Sequence, residues 1–245
     1  IRFVDITNRP TGRMTKTPPA LLDTPELRSV RKSTLPTLRA VDFFCGAGGM
    51  THGLLSSGVD VLGGIDNHLP CKQTYENGQN NVRPNGDVPK FVCTDVAELE
   101  RSKLEDLLGI AADDDSLVFA GCSPCQYWSK VNTHREKSAR SKSLLEHFRR
   151  FVEAFRPGYV VVENVPGLQT RAASSGLSSF LHFLERSGYV FDQGTVPLYL
   201  YGVPQKRLRY LLIGTRVSSE RVSAIELPVR ECSEGAFPEE MKLRH

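Results

Sequence analysis

Short apolar runs alternate with amphipathic stretches along most of this 245-residue chain, and this alternation restricts the possible folds more than any other feature. The apolar runs have the length of strands, and the stretches between them have the spacing of helices. We therefore predict an α/β fold with a doubly wound, mostly parallel sheet, whose ligands bind at the carboxyl ends of the strands. The runs are, in chain order, RAVDFF, VDVLGGID, KFVCTD, SLVFAG, YVVVEN, YVFDQGTVPL and RYLLIGTR.

The last two apolar runs follow each other without a helical stretch between them. This pattern predicts a hairpin or an antiparallel edge, with the last strand antiparallel. The residues before the first run mix Thr, Pro and Arg with no sustained period, which is typical of an extended segment. We predict an extended basic arm over residues 1–38, one domain over residues 39–216 and a tail over residues 217–245.

Composition excludes several classes of protein. Hydrophobic residues make up 40% of the chain and charged residues 24%, as in ordinary globular domains. No apolar run approaches the roughly 18 residues of a membrane span, so we expect a soluble protein with no membrane partner. The 6 cysteines are too few and too irregularly spaced for a disulfide framework. We expect an intracellular protein, cytoplasmic if bacterial and nuclear if eukaryotic.

Positive charge is concentrated in three segments, although the formal net charge is only +3. Residues 1–40 carry eight Lys/Arg against three Asp/Glu, and residues 130–150 carry seven against two. The third segment contains Lys206, Arg207, Arg209 and Arg216. Three basic segments can line a groove for a polyanion, although any one of them alone could be a solvated face.

Glycines and acids follow the first three predicted strands. Gly46, Gly48 and Gly49 permit a sharp turn after the first strand and a close approach of a ligand to the backbone. Asp66 ends the second strand and Asp95 follows the third, where such folds place a carboxylate on a ribose. This combination suits a nucleoside-containing cofactor. The alternative is a tight turn with two helix-capping acids.

The fourth strand is followed by GCSPCQYWSK, in which Cys122 and Cys125 have the C-x-x-C spacing. A zinc site would need two further ligands, and no second Cys pair or paired His has a suitable spacing, so we predict no metal site. Thiol redox chemistry and a single nucleophile at Cys125 both stay open. A buried structural role fits Cys122 better than Cys125.

The fifth strand ends in Glu163 after an apolar run, an environment that can raise the pKa of a carboxyl group enough for proton donation at neutral pH. Before the last strand, Gln205, Arg207 and Arg209 alternate, so a period of two predicts that they share one face. A solvated basic edge is the alternative for these three residues.

Taken together, the motifs FFCGAGG, PCQ, ENV and Q-x-R-x-R occur in this order, each beside a predicted strand end. The chain resembles the cytosine-C5 DNA methyltransferase family from about residue 39 to residue 216. The resemblance implies a Rossmann-like methyltransferase domain with S-adenosylmethionine as cofactor and S-adenosylhomocysteine as product. It also implies double-stranded DNA as partner, and a base flipped out of the duplex.

The resemblance also implies the role of each residue. Cys125 would attack C6 of cytosine, Glu163 would bind N3 and N4, and Arg209, helped by Arg207, would hold O2. Gln126, Ser129 and Lys130 would contact DNA. The positions expected at the cofactor are Phe44, Gly46, Gly48, Gly49, Asp66, Asp95, Val96, Pro124 and Leu144. Among them, the resemblance places Asp66 at the ribose, and Asp95 and Val96 at the adenine.

The chain departs from the family pattern in three places. Asp66 replaces a longer Glu, and Trp128 stands where Phe is common. After Gly214 only about 30 residues follow, where the family has a target-recognition domain and further motifs. We therefore expect target recognition to come from a missing C-terminal region or a second polypeptide.

Three other functions remain open at this stage. The same scaffold could methylate RNA, or it could be a non-catalytic subunit of a split methyltransferase. A nicotinamide oxidoreductase would explain the glycines and Asp66, but it would not explain PCQ and ENV.

Overall fold

The computed structural model describes residues 37–78, 80–122, 135–170, 172–201, 203 and 205–218. Within them, seven strands form one sheet in the order β3-β2-β1-β4-β5-β7-β6. The predicted α/β class with a mostly parallel sheet is confirmed. The strands are β1 (Arg39–Phe43), β2 (Asp60–Asp66), β3 (Lys90–Cys93), β4 (Leu117–Gly121), β5 (Tyr159–Asn164), β6 (Val190–Pro197) and β7 (Leu208–Thr215).

Helices follow most of the strands. The stretches of helical spacing become the longer helices, whereas α5, α6 and a 3₁₀ turn at Leu198–Tyr201 were not predicted. Each of these has only four residues, which is too short to show a hydrophobic period. The helices are α1 (Gly49–Ser56), α2 (Cys71–Tyr75), α3 (Arg101–Leu108), α4 (Arg135–Phe155), α5 (Gly167–Thr170), α6 (Ala172–Ser175) and α7 (Leu177–Arg186).

The last two strands form the predicted hairpin. β6 pairs with β7 in antiparallel orientation, and β7 also pairs with β5 in antiparallel orientation. β7 is therefore the one reversed strand of the described sheet, and it lies inside the sheet while β6 forms the edge. Because β7 runs backwards, its first residues lie beside the last residues of β5.

Helices cover both faces of the sheet, as a doubly wound fold requires. On one face Phe43 of β1 contacts Phe119 of β4, with ring centroids 5.0 Å apart, and Phe148 of α4, at 5.2 Å. On the other face Leu54 of α1 packs with Ala40, Val61 and other small strand residues. Burying a side chain as large as Phe contributes about 1.5–3 kcal/mol, so the aromatic face is the larger source of stability.

The strand order reverses between β1 and β4, which are neighbours in the sheet. At such a switch point the two connections leave toward opposite faces and open a crevice at the carboxyl ends of the strands. The ends of β1 to β5 and the start of β7 all lie at this edge. This edge therefore carries the residues that the sequence motifs single out.

The predicted arm and tail lie almost wholly outside the described residues, so these boundaries stay predictions. Among the helices that the structure describes, none is both long and apolar enough to cross a membrane.

Candidate active site

The turn after β1 has an unusual backbone. Phe44 has a φ of 60°, and Gly46 and Gly48 have φ of 50° and 94°. A positive φ is uncommon outside glycine, and such conformations cluster at functional sites. The turn is held by the N–H of Cys45, which donates to Ile65 O at 3.1 Å, and by the N–H of Gly48, which donates to Cys45 O at 2.9 Å.

The glycines of this turn serve two purposes. A Cβ on Gly48 would lie 2.7 Å from Asn81 Nδ2 and 3.0 Å from the Tyr75 ring, so only glycine fits. A Cβ on Gly46 or Gly49 would meet no described atom within 4 Å. Gly48 is therefore required by packing inside the protein, whereas Gly46 and Gly49 leave the outer surface of the turn open to a ligand.

Asp66, at the end of β2, binds the glycine turn directly. Its Oδ2 accepts a hydrogen bond from the N–H of Gly46 at 3.0 Å, and its Oδ1 accepts one from the N–H of His68 at 2.8 Å. Each carboxylate oxygen has capacity for a second hydrogen bond. Asp66 therefore positions the glycine turn and can still accept hydrogen bonds from ligand hydroxyl groups.

Asp95, after β3, caps a tight turn. Its Oδ1 accepts from the N–H of Ala97 at 2.9 Å, and its main-chain oxygen accepts from the N–H groups of Glu98 and Leu99 at 2.9 and 3.0 Å. Its Oδ2 has only a long contact of 3.4 Å to Asn67 Nδ2. The neighbouring Val96 is 2% exposed and packs in the core, so at this turn Asp95 is the better placed residue to meet a ligand.

A buried carboxyl group lies beneath the glycine turn and was missed by the sequence motifs. Asp42 of β1 is fully buried, and its Oδ2 accepts a hydrogen bond from the Thr51 hydroxyl at 2.7 Å. The same hydroxyl lies 3.0 Å from the Tyr75 hydroxyl oxygen. Burial raises the pKa of Asp42 to about 7. The one signal in the sequence is an acid inside the apolar run RAVDFF.

On the other side of the switch point, β5 and β7 bring Glu163 and Arg209 together. Arg209 Nε lies 2.7 Å from Glu163 Oε1, and the side chains are 13% and 27% exposed respectively. Leu211 is the direct partner of Glu163 in the sheet, so Arg209, two residues earlier, lies on the same face. The antiparallel register therefore forms this ion pair.

Opposing influences act on the pKa of Glu163. Burial raises the pKa of Glu163, and a hydrogen bond with the Cys122 side chain and the charge of Arg207 partly offset this increase. Cys122 follows β4 directly and is half-buried. Its contact with Glu163 was not predicted, since a buried structural role had been expected for this thiol.

The segment before β7 differs from the prediction. The N–H of Gln205 donates to Val203 O and the N–H of Arg207 donates to Gln205 O, at 2.7 and 2.8 Å, in tight turns that precede the strand. The predicted alternation of Gln205, Arg207 and Arg209 on one strand face is therefore wrong for the first two residues. Both are exposed, although the charge of Arg207 still acts on Glu163.

Two arginines of the second basic segment have partners inside the protein. Arg149 Nη1 lies 3.2 Å from Glu153 Oε2, and its Nε lies 2.9 Å from both carboxylate oxygens of Glu146. Arg150 donates to main-chain carbonyl groups. They do not extend a free basic surface for a polyanion.

The remaining predicted positions are mostly beyond what the structure describes. Leu144 lies on α4 and is half-buried. Pro124, Cys125, Gln126, Ser129 and Lys130 lie outside the described residues, so their roles stay predictions. Among the described residues, no group of three potential metal ligands is present, and Cys45, Cys71, Cys93 and Cys122 form no disulfide bond with one another.

Comparison with known proteins decides the family. A model of the C-5 cytosine-specific DNA methylase family matches residues 38–243. This chain belongs to that family. The predicted resemblance of the chain to the C5 methyltransferase family is thereby confirmed.

Two Type II methylases are among the curated relatives of the chain. The chain is 33% identical over 176 residues to the Type II methylase M.HgiDII of Herpetosiphon aurantiacus, covering 72% of this chain and 46% of that protein. It is also 33% identical over 179 residues to the Type II methyltransferase M.AgeI of Thalassovita gelatinovora, covering 72% and 39%. The chain thus spans less than half the length of these two relatives.

A solved structure supports the fold of this C-5 methylase. The Entamoeba histolytica methyltransferase EhMeth superimposes with a TM-score of 0.58 at 14% identity, over 77% of this chain and 56% of that one. At that identity the agreement concerns the fold alone.

Proposed function

We propose that this chain transfers a methyl group from S-adenosylmethionine to C5 of cytosine in double-stranded DNA. The Glu163–Arg209 pair supports this proposal most directly. Glu163 of this pair also contacts Cys122, which precedes Cys125 by three residues. The open glycine turn lies on the other side of the switch point. Addition to a pyrimidine ring requires a carboxyl group that can donate a proton, a cation and a cysteine nucleophile, all beside a ligand crevice.

The described residues fit the proposed cofactor. Gly46 and Gly49 leave open space above the turn, and Asp66 has acceptor capacity for ribose hydroxyl groups. Phe44 and Gly48 shape the turn, and Asp95 follows β3 at the same edge of the sheet. When bound, S-adenosylmethionine supplies an electrophilic methyl group on a sulfonium, which leaves S-adenosylhomocysteine.

The base would be activated by addition of a thiolate. Cys125 would form a bond to C6, and the electron pair of the C5–C6 double bond would move into the ring, so that C5 becomes nucleophilic. Glu163, whose pKa is raised by burial, would in its protonated form donate to N3 and accept a hydrogen bond from the N4 amino group. Arg209 and Arg207 would hold O2, where negative charge also develops.

Release reverses the addition. Once C5 carries the methyl group, it loses its proton to a base, the C5–C6 double bond forms again and the bond from C6 to Cys125 breaks. The proton on N3 would return to the carboxylate of Glu163. These steps need the cytosine outside the duplex, since neither C6 nor N3 is accessible in a stacked pair.

We further propose that sequence recognition comes from outside residues 39–216, in another part of a longer protein or in a second polypeptide. The chain matches under half of each of the two curated relatives, and its basic segments would supply phosphate contacts without reading bases. Gln126, Ser129 and Lys130 are candidates for those contacts. The proposed substrate places the protein with the genome, in the bacterial cytoplasm or a eukaryotic nucleus.

The covalent step can be tested with DNA that contains 5-fluorocytosine. Fluorine cannot leave C5 as a proton does, so the enzyme should be trapped as a denaturation-resistant adduct that depends on S-adenosylmethionine. Cys125→Ala should abolish the adduct, whereas Cys93→Ser, at an exposed free thiol, should not. An adduct that persists in Cys125→Ala would overturn the assignment, and the same sequence made as RNA tests the nucleic-acid preference.

A further inference from the structure

Arg150 makes an unusual set of contacts from α4. Its Nη2 atom donates to the main-chain oxygens of Val96 at 2.9 Å and Leu99 at 3.0 Å, and it lies 3.4 Å from that of Ala97. The guanidinium carbon lies 4.9 Å from the ring centroid of Phe151, the next residue of the helix. One exposed arginine therefore binds three carbonyl groups of a single turn more than 50 residues away in the sequence.

That turn is the one that Asp95 begins. Asp95 satisfies the N–H groups of Ala97, Glu98 and Leu99 at the start of the turn. The carbonyl groups of Val96, Ala97 and Leu99 in the same turn need donors of their own, as at the end of any helical turn. Arg150 supplies them with a cation, which is the stronger kind of donor for grouped carbonyl oxygens.

We propose that Arg150 is a positioning residue for the nucleoside end of the cofactor. Its hydrogen bonds to the carbonyl groups fix the turn of residues 95–99. Asp95 Oδ2 has only the long contact to Asn67. The fixed turn therefore holds this oxygen in position to accept a hydrogen bond from the amino group of a purine. The inference rests on the proposed function, because it takes this turn as the place where the adenine binds.

Arg150 also connects the turn of residues 95–99 to the helix that follows the proposed nucleophile. α4 begins at Arg135, ten residues after Cys125, and Arg150 lies on the same helix with its guanidinium against the buried ring of Phe151. The helix that leads away from the proposed nucleophile is therefore attached to the turn that would bind adenine. Arg149 has no part in this attachment, because its described partners are Glu146 and Glu153 on the same helix and the Phe183 ring on α7.

The test compares three variants of the 245-residue chain by calorimetric titration with S-adenosylhomocysteine. Arg150→Met removes all three donor contacts and should weaken binding by about threefold to tenfold, since each contact is partly exposed to solvent. Arg150→Lys keeps one cationic donor and should recover part of this loss. Arg149→Met removes an equal charge one position away and should stay within about twofold of the unaltered chain.

A second ligand separates positioning from general stability. S-inosylhomocysteine carries a carbonyl oxygen where adenine has its amino group, so Asp95 can favour only the adenine form. Arg150→Met should reduce the preference for S-adenosylhomocysteine over S-inosylhomocysteine by about threefold or more, with little change in affinity for the inosine form.

Each outcome is decisive. A preference that is unchanged in Arg150→Met would overturn the inference, and so would an equal loss of affinity for both ligands together with a lower melting temperature. If the unaltered chain binds neither ligand, the cofactor assignment itself fails. That result is distinct from failure of the Arg150 inference, which can be judged only if the unaltered chain binds S-adenosylhomocysteine.

Discussion

The two halves of the sheet edge hold their charged side chains in different ways. In the cofactor half, the ends of β1, β2 and β3, Asp66 and Asp95 accept hydrogen bonds from backbone N–H groups. In the base half, the ends of β4 and β5 and the start of β7, Glu163 instead contacts the side chains of Arg209 and Cys122.

This difference separates a rigid binding surface from a reactive one. A carboxylate bound by backbone N–H groups is held in position by the turn itself, which suits a group that orients a ligand. A carboxyl group bound by other side chains has a pKa that depends on their position and charge. The base half can therefore respond to a change in its neighbours during a reaction, whereas the cofactor half holds its carboxylates in fixed positions.

The largest expected effect comes from the base half. Glu163→Gln keeps the shape of the side chain but cannot release a proton, so the rate of methyl transfer should fall by about 10²-fold to 10⁴-fold. Affinity for S-adenosylhomocysteine should not change, because the cofactor half is untouched. The control is Glu153→Gln, an exposed side chain on α4. A loss of cofactor affinity as large as the loss of rate would show that the two halves are not separate.

The next largest effect distinguishes two glycines of the cofactor half. Gly48→Ala forces a Cβ to within 2.7 Å of Asn81 at a φ of 94°, so the free energy of unfolding should fall by about 2–4 kcal/mol. A Cβ on Gly49 would meet no described atom within 4 Å. Gly49→Ala should therefore change the free energy of unfolding by no more than about 1 kcal/mol and should instead weaken cofactor binding. Urea denaturation of both variants measures this, and equal destabilisation would contradict it.

A smaller effect is expected at Asp66. Asp66→Ala removes the acceptor that joins Gly46 to β2 and any hydrogen bonds to ribose. The dissociation constant for S-adenosylhomocysteine should rise about tenfold to a hundredfold, since hydrogen bonds to a charged group contribute roughly 1.5–3 kcal/mol. Asp106→Ala, an exposed acid on α3, is the control. Unchanged affinity in Asp66→Ala would show that the carboxylate is not used.

The smallest effect concerns pH and Asp42 beneath the glycine turn. Its pKa is about 7 in the folded protein and is raised from an ordinary value near 3.8, so the folded state holds a proton that the unfolded state releases. The free energy of unfolding should therefore decrease as pH rises from 5 to 7, by about 1 kcal/mol per pH unit from this group. Asp42→Asn should flatten that dependence in chemical denaturation. A slope unchanged by the substitution would mean that Asp42 does not titrate in this range.

The sequence predicted the cofactor half better than the base half. The seven apolar runs become the seven described strands, and the turn at Gly46 and the acids at Asp66 and Asp95 lie at strand ends as expected. Their contacts to Gly46, His68 and Ala97 are made mainly by neighbours in the chain or by the next strand of the alternation. Turn chemistry and strand period are local properties, so they can be read from residue order.

In the base half, the sequence indicated the residues but not their contacts. Arg209 follows Glu163 by 46 residues, and they meet because β7 is reversed and inserted between β5 and β6. A period of two predicted one shared face for Gln205, Arg207 and Arg209 as the chain enters its last strand, but only Arg209 lies in that strand, which begins at Leu208. Strand boundaries depend on which neighbours are available for pairing, and sequence period alone does not contain that information.

The sequence by itself therefore determined the order of the strands and helices, the glycine turn and the family motifs. Only the tertiary structure decided that Glu163 meets both Arg209 and Cys122, that Asp42 is fully buried and that Arg150 reaches the turn of Asp95. The physical reason is that charge, pKa and hydrogen bonding depend on distances through space and on exclusion of water. Chain neighbours fix local geometry, whereas packing of distant segments creates those distances.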